Sequence, residues 1–517
     1  MVVSQDQQPV FDFLGRPETY GGASVKRVDT HAAAVFLAGK RALKIKRVVR
    51  FPFLDFSTLP KRKAACEAEL AVNRPYAPAI YRRVLPITRE SDGSLALDGQ
   101  GEPVEWAVEM DRFDENETLD RLAESGRIDA ALADALGRAV AEAHARAPVA
   151  KGFGFAAQLR EIVAQNDVEL MAEPELFAPE DAAALTRDTV AALDRLAPLL
   201  AARERDGCVR RCHGDLHLGN IVLIDGAPTL FDAIEFDERI ATGDVFYDLA
   251  FLLMDLIERG LGLAANVVLN RYLIETRRAA DLDALAALPL FMSVRAAIRA
   301  KVTAARLKHA ADRQEPAQSA RAYFALARKL LAPPPPQLVA VGGLSGTDKS
   351  VLAHALAPAI GPAPGAVVVR SDVTRKALFG VAETDRLPPS AYTREVSERV
   401  YTALTETACR VIAAGHSAVV DAVFADSKER AAIAQAAGGV PFQGLFLTAD
   451  LATRVARVGT RVADASDADA AVACQQERYE IGHVEWTAVD ASGTPEETLR
   501  RAKAAMHRPT SHSAMRH

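Results

Sequence analysis

The stretch "RRCHGDLHLGNIVLIDGAPTLFDAIEFD", residues 210–237, decides the fold of the N-terminal half of this chain. It contains the pattern H-G-D-x-x-x-x-N, which includes Asp215 and Asn220, and a turn, "DGAP", then leads through a strand to Asp232. Phosphoryl transfer needs a carboxylate that accepts the proton of the acceptor hydroxyl, and oxygen ligands that hold Mg²⁺ on the phosphates. We therefore predict Asp215 as the catalytic base and Asn220 and Asp232 as metal ligands.

Two charged residues upstream fit the same chemistry. In "RALKIK", Lys44 lies on a predicted strand, and in "ACEAELAVNRPYAP", Glu69 opens a predicted helix. With the loop, these residues resemble the aminoglycoside phosphotransferase and choline kinase group. The resemblance implies ATP and Mg²⁺ as cofactors, with Lys44 on the phosphates of ATP and Glu69 as its ion-pair partner. Lys46 and Glu67 remain alternatives, because the register of a predicted strand or helix can shift by a residue or two.

A zinc site is an alternative use of the same region. Four potential ligands fall within ten residues: Cys208, Cys212, His213 and His217. Their spacing, C-x3-C-H-x3-H, matches no common zinc module. We expect His213 to orient the catalytic loop and His144 to be a packed helix residue. In "GDVFYDLA", Asp244 and Asp248 match structural aspartates of the kinase group.

A second phosphate-binding pattern lies in "QLVAVGGLSGTDKSVLAHALA", residues 337–357, where a buried strand, a glycine turn and a helix are predicted. It reads G-x-x-x-x-G-K-[ST], except that Asp348 replaces the glycine before the lysine. Lys349 is predicted to reach the β and γ phosphates, and Ser350 to bind Mg²⁺. The loop positions predicted to contact the nucleotide are Gly343, Gly346, Thr347, Lys349 and Ser350.

The segment after this loop resembles small P-loop kinases, namely the 5′-kinase half of polynucleotide kinase, the zeta-toxin group and gluconate-kinase-like enzymes. In "VVVRSDVTRKALFG", the resemblance implies that Asp372 is a catalytic base and that Arg375 holds an acceptor phosphate. In "DLATRVARVGTRVADASDA", it implies that Arg461, or alternatively Arg457, is an arginine that neutralises the transferring group. The tandem order resembles bacterial fusion proteins of an aminoglycoside-phosphotransferase-like domain and a P-loop kinase domain.

Asp348 puts nucleotide binding by this second site in question. A side chain resists the backbone conformation that glycine allows, and a carboxylate beside a polyphosphate repels it. Two features offset these costs, because aspartate tolerates left-handed geometry better than most residues and its carboxylate can turn to solvent or pair with an arginine such as Arg457. We expect a P-loop that forms but binds ATP weakly.

Bulk properties restrict the remaining function classes. A net charge of −6 offers no basic field for long nucleic acid, although a 5′-end substrate stays open. No apolar stretch approaches the roughly 20 residues of a membrane helix, and the first residues lack a signal pattern, so we expect a cytoplasmic protein without membrane partners. Five scattered cysteines fit a reducing compartment. The sequence does not indicate an oligomeric state.

The chain of 517 residues is too long for one core, and "LAPPPPQ" marks the clearest break. We predict a multidomain protein: an N-terminal α+β, two-lobed protein-kinase-like fold and a C-terminal α/β P-loop kinase fold with a parallel sheet. The predicted division is an N-lobe (1–115), a helical C-lobe (116–330), a proline linker (331–337), a P-loop domain (338–505) and a disordered tail (506–517). The expected function is ATP- and Mg²⁺-dependent phosphorylation of a small-molecule hydroxyl, with the P-loop module as a second kinase. As alternatives, that module is a weakened regulatory nucleotide-binding domain, or a kinase for nucleic-acid ends or nucleotide sugars.

Overall fold

The structure is a computed structural model that describes residues 6–51, 54–307, 313–459 and 465–506. The chain divides into two compact units. One unit contains residues 1–186 and 193–264, and the other contains residues 187–192 and 265–517. None of the helices in the described ranges has the length and hydropathy of a membrane span.

The first unit begins with a small lobe built on an antiparallel sheet. Its elements are α1 (Gln8–Leu14), β1 (Val25–Asp29), β2 (Ala33–Ala38), β3 (Arg41–Lys46), β4 (Arg50–Phe51), β5 (Leu54–Asp55), α2 (Leu59–Asn73), β6 (Tyr81–Arg89), β7 (Leu95–Leu97) and β8 (Glu102–Asp111). The main sheet has the strand order β1-β2-β3-β8-β6-β7. Successive side chains of a strand point to opposite faces, so Leu43 and Ile45 of β3 enter the core beside α1, while Lys44 and Lys46 lie on the face toward α2.

The rest of the first unit is mainly helical. Its elements are α3 (Leu119–Glu124), α4 (Ala130–Arg146), α5 (Phe155–Met171), α6 (Pro179–Arg205), β9 (Val209–Arg211), β10 (Ile221–Ile224), β11 (Ala227–Leu230), α7 (Glu238–Ala241), β12 (Thr242–Asp244) and α8 (Val245–Glu258). Helix α8 is buried from Val245 to Leu256, yet this run contains Asp248 and Asp255. Buried carboxylates need hydrogen-bond donors, and both find them in the loop between β9 and β10. The predicted two-lobed α+β fold is confirmed.

The next helix, α9 (Gly262–Thr276), enters the second unit at Ala265, and α10 (Ala279–Asp283), α11 (Leu288–Arg306) and α12 (Gln314–Leu331) follow it there. The second unit continues with β13 (Leu338–Gly343), α13 (Lys349–Leu356), β14 (Val367–Arg370), α14 (Ser371–Leu378), α15 (Arg394–Ala413), β15 (Ala418–Asp421), α16 (Ser427–Gln435), β16 (Phe442–Thr448), α17 (Leu451–Gly459), α18 (Ala470–Gln475), β17 (Thr487–Asp490) and α19 (Pro495–Met506). The sheet order β14-β15-β13-β16-β17 is parallel throughout, which confirms the predicted α/β fold.

The edge of this sheet at β14 is closed by side chains of α9. Asn270 accepts a hydrogen bond from the backbone N–H of Val368 (2.7 Å) and donates one to the carbonyl of Ala366 (3.2 Å). Asn266 donates to the same carbonyl (3.1 Å). The carboxamide of Asn270 therefore makes the paired contacts that the backbone of a neighbouring strand would make. As a result, α9 belongs to the same compact unit as the parallel sheet.

Two predictions fall wholly or partly outside the described ranges. Residues 507–517, which form nearly all of the predicted tail, are outside them, and so is Arg461. The predicted proline linker lies within the second unit, between α12 and β13.

Candidate active sites

The predicted base and one predicted metal ligand contact each other in the loop after β9. Asn220 donates through Nδ2 to the backbone carbonyl of Asp215 (2.9 Å) and to its Oδ2 (3.1 Å). His217 Nδ1 accepts a bond from the N–H of Gly219 (3.1 Å), and its Nε2 lies 3.4 Å from Asp215 Oδ2. The side chain of Asp215 is 41% exposed. The loop thus fixes this carboxylate and leaves it open to an acceptor.

Helix α8 holds this loop from the buried side. Asp248 accepts bonds from the backbone N–H groups of Gly214 (2.9 Å) and His213 (3.2 Å), and Asp255 accepts one from Leu218 (2.9 Å). His213 donates through Nε2 to the carbonyl of Phe231 (2.9 Å), because a carbonyl can only accept. Burial lowers the pKa of His213, so the neutral ring is favoured. These bonds connect the catalytic loop to α8 and to the strand before Asp232.

The predicted lysine and glutamate meet on the face of β3 toward α2. Lys44 Nζ lies 2.7 Å from Glu69 and 2.6 Å from Asp232. Lys46 lies 2.6 Å from the other oxygen of Glu69 and also pairs with Glu235. The structure therefore brings both candidate lysines to one fully buried glutamate. Glu67, the alternative partner, is 56% exposed and faces a surface lysine at 3.6 Å.

The charges of this cluster stabilise one another. Burial by itself raises the pKa of Glu69, but the two ammonium groups outweigh burial and bring this pKa down to about 2. Burial lowers the pKa of Lys44, and the carboxylates of Asp232 and Glu69 outweigh it, so that this pKa lies well above its ordinary value. Glu69 is therefore a carboxylate and Lys44 an ammonium at neutral pH, which suits a lysine that faces phosphate.

Asp232 occupies a tight turn after β11. Its φ of 59° is left-handed, a conformation that aspartate adopts more readily than most residues. Its backbone N–H donates to the hydroxyl of Tyr81 (3.1 Å), and the next residue, Ala233, exchanges two hydrogen bonds with Asn73 at the end of α2 (2.7 and 3.2 Å). The sequence did not predict roles for Tyr81, Asn73 and Glu235. Tyr81 and Asn73 contact this turn from a distant part of the chain, and Glu235 lies after the predicted metal ligand Asp232 and pairs with Lys46.

The zinc alternative finds little support in the geometry. Within the described part of the chain, one group of three potential ligands lies close enough to share an ion: His144, Cys212 and Asp248. It lacks Cys208, His213 and His217 from the sequence pattern. His144 Nε2 is 3.2 Å from Asp248, which also accepts the loop N–H groups, and Cys212 Sγ lies 3.7 Å from a backbone carbonyl. These contacts describe a packed support for the catalytic loop.

The P-loop of the second unit forms between β13 and α13. Thr347 Oγ1 and Lys349 Nζ both donate to the carbonyl of Leu344 (2.8 and 3.1 Å). Gly343 and Gly346 have φ of 140° and 87°. A Cβ at Gly346 would lie 2.4 Å from a backbone oxygen of α17, so this close approach requires glycine. The predicted loop residues are thus brought together as the motif demands.

Ser350 lies beside the carboxylate of Asp421. Its hydroxyl donates to Asp421 Oδ2 at the end of β15 (2.5 Å). Arg370 Nε lies 3.5 Å from the same carboxylate oxygen. A hydroxyl and a carboxylate oxygen at the end of parallel strands are suitable ligands for Mg²⁺. Asp421 therefore joins Ser350 as a candidate metal ligand.

The predicted second base and its arginine lie on α14. Burial raises the pKa of Asp372, against the influence of Arg370, so this carboxyl is a stronger base than an exposed aspartate. Arg375 is nearly buried, donates to the carbonyl of Ala391 (2.7 Å) and lies over the ring of Tyr392 at 4.9 Å. Its Nε has no hydrogen-bond partner among the described residues. Because this nitrogen is buried, the contact with an acceptor phosphate that the sequence implies would have to come from another part of the guanidinium.

Asp348 adopts φ 59° and ψ 35° at the N-cap of α13, and its carboxylate lies 3.1 Å from Nε of Arg457 on α17. Of the two orientations expected from the sequence, the structure has the ion pair. Arg457 is therefore bound to the P-loop itself. Arg461, the other predicted arginine, lies outside the described residues.

The comparisons with known proteins agree with this geometry. Residues 31–288 match the model of the "Phosphotransferase enzyme family", and residues 338–480 match a model described as "AAA domain". The chain therefore joins a domain of the phosphotransferase enzyme family to a C-terminal P-loop, kinase-like domain, and it is an ATP-dependent kinase. Membership of these families implies ATP and a divalent metal ion as cofactors.

Two mycobacterial proteins are similar to this chain over nearly its whole length. An uncharacterized protein of Mycobacterium tuberculosis is 29% identical over 492 residues, which cover 92% of this chain and 94% of that protein, and an uncharacterized protein of Mycobacterium bovis gives the same values. Among solved structures, a choline/ethanolamine kinase family protein from Mesorhizobium loti has a TM-score of 0.40 and 15% identity and covers 64% of this chain and 98% of that one. A gluconokinase from Sinorhizobium meliloti has a TM-score of 0.25 and 21% identity and covers 33% of this chain and 91% of that one.

Proposed function

We propose that the N-terminal domain transfers a phosphoryl group from ATP to a hydroxyl of a small molecule, such as a sugar, an aminoglycoside-like compound or a related metabolite. The observation that carries this proposal is the arrangement around Asp215. This exposed carboxylate is fixed by Asn220, and the linked cluster of Lys44, Glu69 and Asp232 belongs to the same unit. We place the reaction in the cytoplasm, where ATP is supplied.

The metal and nucleotide would be held by groups that suit them. Asn220 uses its amide nitrogen to hold Asp215, so its carbonyl oxygen is left for a cation, and the carboxylate of Asp232 is 44% exposed. These are the oxygen ligands that Mg²⁺ prefers. Lys44, held by Glu69, would contact the phosphates. ATP supplies the phosphoryl group, and Mg²⁺ neutralises its charge.

Asp215 would perform the proton transfer. Its carboxylate would accept the proton of the acceptor hydroxyl as the new oxygen–phosphorus bond forms and the bond between the transferred phosphoryl group and the leaving ADP breaks. Asn220 and His217 keep the carboxylate in one orientation, and Asp248 keeps the surrounding backbone in place. The helical lobe would select the acceptor by the shape of its surface, which follows from no motif.

We further propose that the C-terminal domain is a second kinase module. Lys349 would bind the phosphates, Ser350 and Asp421 the metal ion, and Asp372 would act as base. The raised pKa of the partly buried Asp372 favours a competent catalytic site. Arg375 and Arg461 complete the proposed set, since the alternative, Arg457, is engaged with Asp348. The two modules would act in sequence on one metabolite. The alternatives are a weakened regulatory nucleotide-binding domain, for which Asp348 argues, and a kinase for nucleic-acid ends or nucleotide sugars.

We propose the division of the chain that is expected from the sequence: an N-lobe (1–115), a helical C-lobe (116–330), a proline linker (331–337), a P-loop domain (338–505) and a tail (506–517). This division follows the proposed functions, whereas the two compact units follow the packing of the chain. We expect a small-molecule substrate, no membrane partner and no long nucleic acid.

A screen of ADP release on the full-length protein tests the proposal. Metabolites with free hydroxyls would be offered to the wild type, to Asp215→Asn and to Asp372→Asn. We expect Asp215→Asn to abolish turnover of the substrate of the N-terminal domain and to leave ATP affinity within about twofold, because the base acts on the acceptor. Near-normal turnover of every active metabolite by Asp215→Asn would contradict the role of Asp215 as the catalytic base. If Asp372→Asn instead abolished the same turnover, the phosphorylation would belong to the C-terminal domain.

A further inference from the structure

The feature that carries a further inference is the residue before the P-loop lysine. Asp348 holds the left-handed conformation, φ 59° and ψ 35°, that glycine usually provides there. The loop nevertheless forms, with Lys349 on the carbonyl of Leu344 and Ser350 on Asp421. The substitution therefore changes the charge of the loop and not its conformation.

Arg457 is fully engaged around this carboxylate. Its Nε lies 3.1 Å from Asp348 Oδ2, Nη1 donates to the carbonyl of Ala491 (2.7 Å), and Nη2 donates to that of Gly493 (2.6 Å). The last two residues follow β17. All three nitrogens of the guanidinium thus have partners, and its position is fixed by the protein.

The ion pair of Asp348 and Arg457 changes the charge that surrounds a nucleotide bound at the P-loop. Lys349 supplies one positive charge at the loop, and the charge of Arg457 is matched by Asp348. The side chains of Arg457 and Asp348 are 21% and 24% exposed, so solvent screens their electric fields only partly. The carboxylate of Asp348 therefore cancels part of the attraction that Arg457 would otherwise offer to a polyphosphate bound at α13, and this loss grows with the number of phosphates.

We propose that Asp348 is a specificity-determining residue of the C-terminal domain, which lowers the affinity of the P-loop for ATP more than its affinity for nucleotides with fewer phosphates. Arg457 is the counter-ion that keeps the carboxylate in place. This inference rests on the proposed nucleotide site of the C-terminal domain. It answers why a complete phosphate-binding loop carries a negative charge beside its lysine.

The variant Asp348→Asn isolates the charge. Asparagine also tolerates the left-handed conformation, has the same size and keeps an oxygen that can accept from Arg457 Nε. With the carboxylate gone, Arg457 retains its bonds to Ala491 and Gly493, and the loop carries one negative charge less. Asp348→Gly restores the usual motif and serves as a second variant, in case asparagine alters the loop.

The test is calorimetric titration of the full-length protein with MgATP, MgADP, AMP and adenosine. Every titration is repeated in a Lys349→Ala background, and the difference between the two assigns binding to the P-loop. We expect Asp348→Asn to raise the P-loop affinity for ATP about tenfold, for ADP less and for adenosine not at all, with the gain reduced at high salt. Arg457→Gln should lower ATP affinity, because the carboxylate then lacks its counter-ion.

The outcomes separate the inference from the site on which it rests. Absence of Lys349-dependent binding in the wild type and in both Asp348 variants would overturn the nucleotide site and the inference together. Lys349-dependent binding that is equal in wild type and Asp348→Asn, or that rises equally for ATP and adenosine, would overturn the inference alone. A melting temperature measured for each variant shows whether it is folded, and a folded Asp348→Asn with reduced ATP affinity would make Asp348 a structural residue.

Discussion

The buried carboxylate of Glu69 provides the sharpest test of the N-terminal site. In Glu69→Gln the side chain keeps its size, but an amide group that donates hydrogen bonds replaces one carboxylate oxygen. Since the two oxygens face Lys44 and Lys46 at 2.7 and 2.6 Å, the amide must face one of these ammonium groups, donor against donor. The substitution therefore removes one close ammonium–carboxylate contact and the negative charge between two buried cations.

The size of the effect follows from what remains. Breaking a buried ion pair by removing one partner costs about 3–5 kcal/mol. Lys44 keeps Asp232 and Lys46 keeps Glu235, so we expect the lower end, about 3 kcal/mol, for the free energy of unfolding of the first unit. We also expect kcat/KM for ATP to fall at least about tenfold, because Lys44 loses the partner that orients it.

The chain offers both a matched control and a local probe. Glu67→Gln removes the same charge two residues away, where the side chain is 56% exposed, and should change stability by less than about 0.5 kcal/mol. Of the two tryptophans, Trp106 lies on β8 of the first unit and Trp486 lies in the second. In a Trp486→Phe background, fluorescence during urea unfolding therefore reports the first unit. Equal stabilities of Glu69→Gln and Glu67→Gln would refute the role of Glu69.

Four further variants have expected outcomes. Asp372→Asn should abolish phosphorylation by the C-terminal domain, and Arg375→Ala should raise the KM of the acceptor more than that of ATP; equal effects on both would place Arg375 on the nucleotide. Burial lowers the pKa of His416 from 6.5 to about 4. As the pH falls, His416 therefore becomes protonated in the unfolded chain before it does in the folded chain. The second unit should thus lose up to about 3 kcal/mol of stability as pH falls from 6.5 to 4, and urea unfolding at several pH values should show that His416→Phe lacks this part. Asp248→Asn should cost about 1–3 kcal/mol, because the N–H of Gly214 loses a carboxylate acceptor, and should lower kcat in the ADP-release assay; unchanged kcat would contradict its support of the loop.

The sequence predicts best where contacts are local. Asp215 and Asn220 belong to one short motif, so they must lie close together, and the structure shows them in hydrogen-bond contact. The alternation of β3 likewise places Lys44 on the face opposite Leu43 and Ile45, although it cannot separate Lys44 from Lys46, which share that face. The parallel sheet follows from strands that alternate with helices.

The contacts that the sequence does not predict connect distant segments. Asn73 holds the turn after Asp232 from the end of α2, and Asn270 caps β14 from α9. Each is an ordinary polar residue in a helix, and its partner is set by how the elements pack. The pair of Asp348 and Arg457 is intermediate. The sequence names Arg457 as a possible partner, but it does not decide between this ion pair and a carboxylate that faces solvent.

The asparagine cap on β14 has a consequence for how the chain can be divided. The proline run invites cleavage just before β13, yet a fragment cut there would lack α9 and leave the N–H of Val368 and the carbonyl of Ala366 without Asn270. An uncovered edge strand recruits strands from other molecules. Such a fragment should aggregate, whereas one that starts before α9 should stay monodisperse. The P-loop domain is therefore protected against self-association by a helix that precedes the proline run, so the chain cannot be divided at that run without exposing the edge of the sheet.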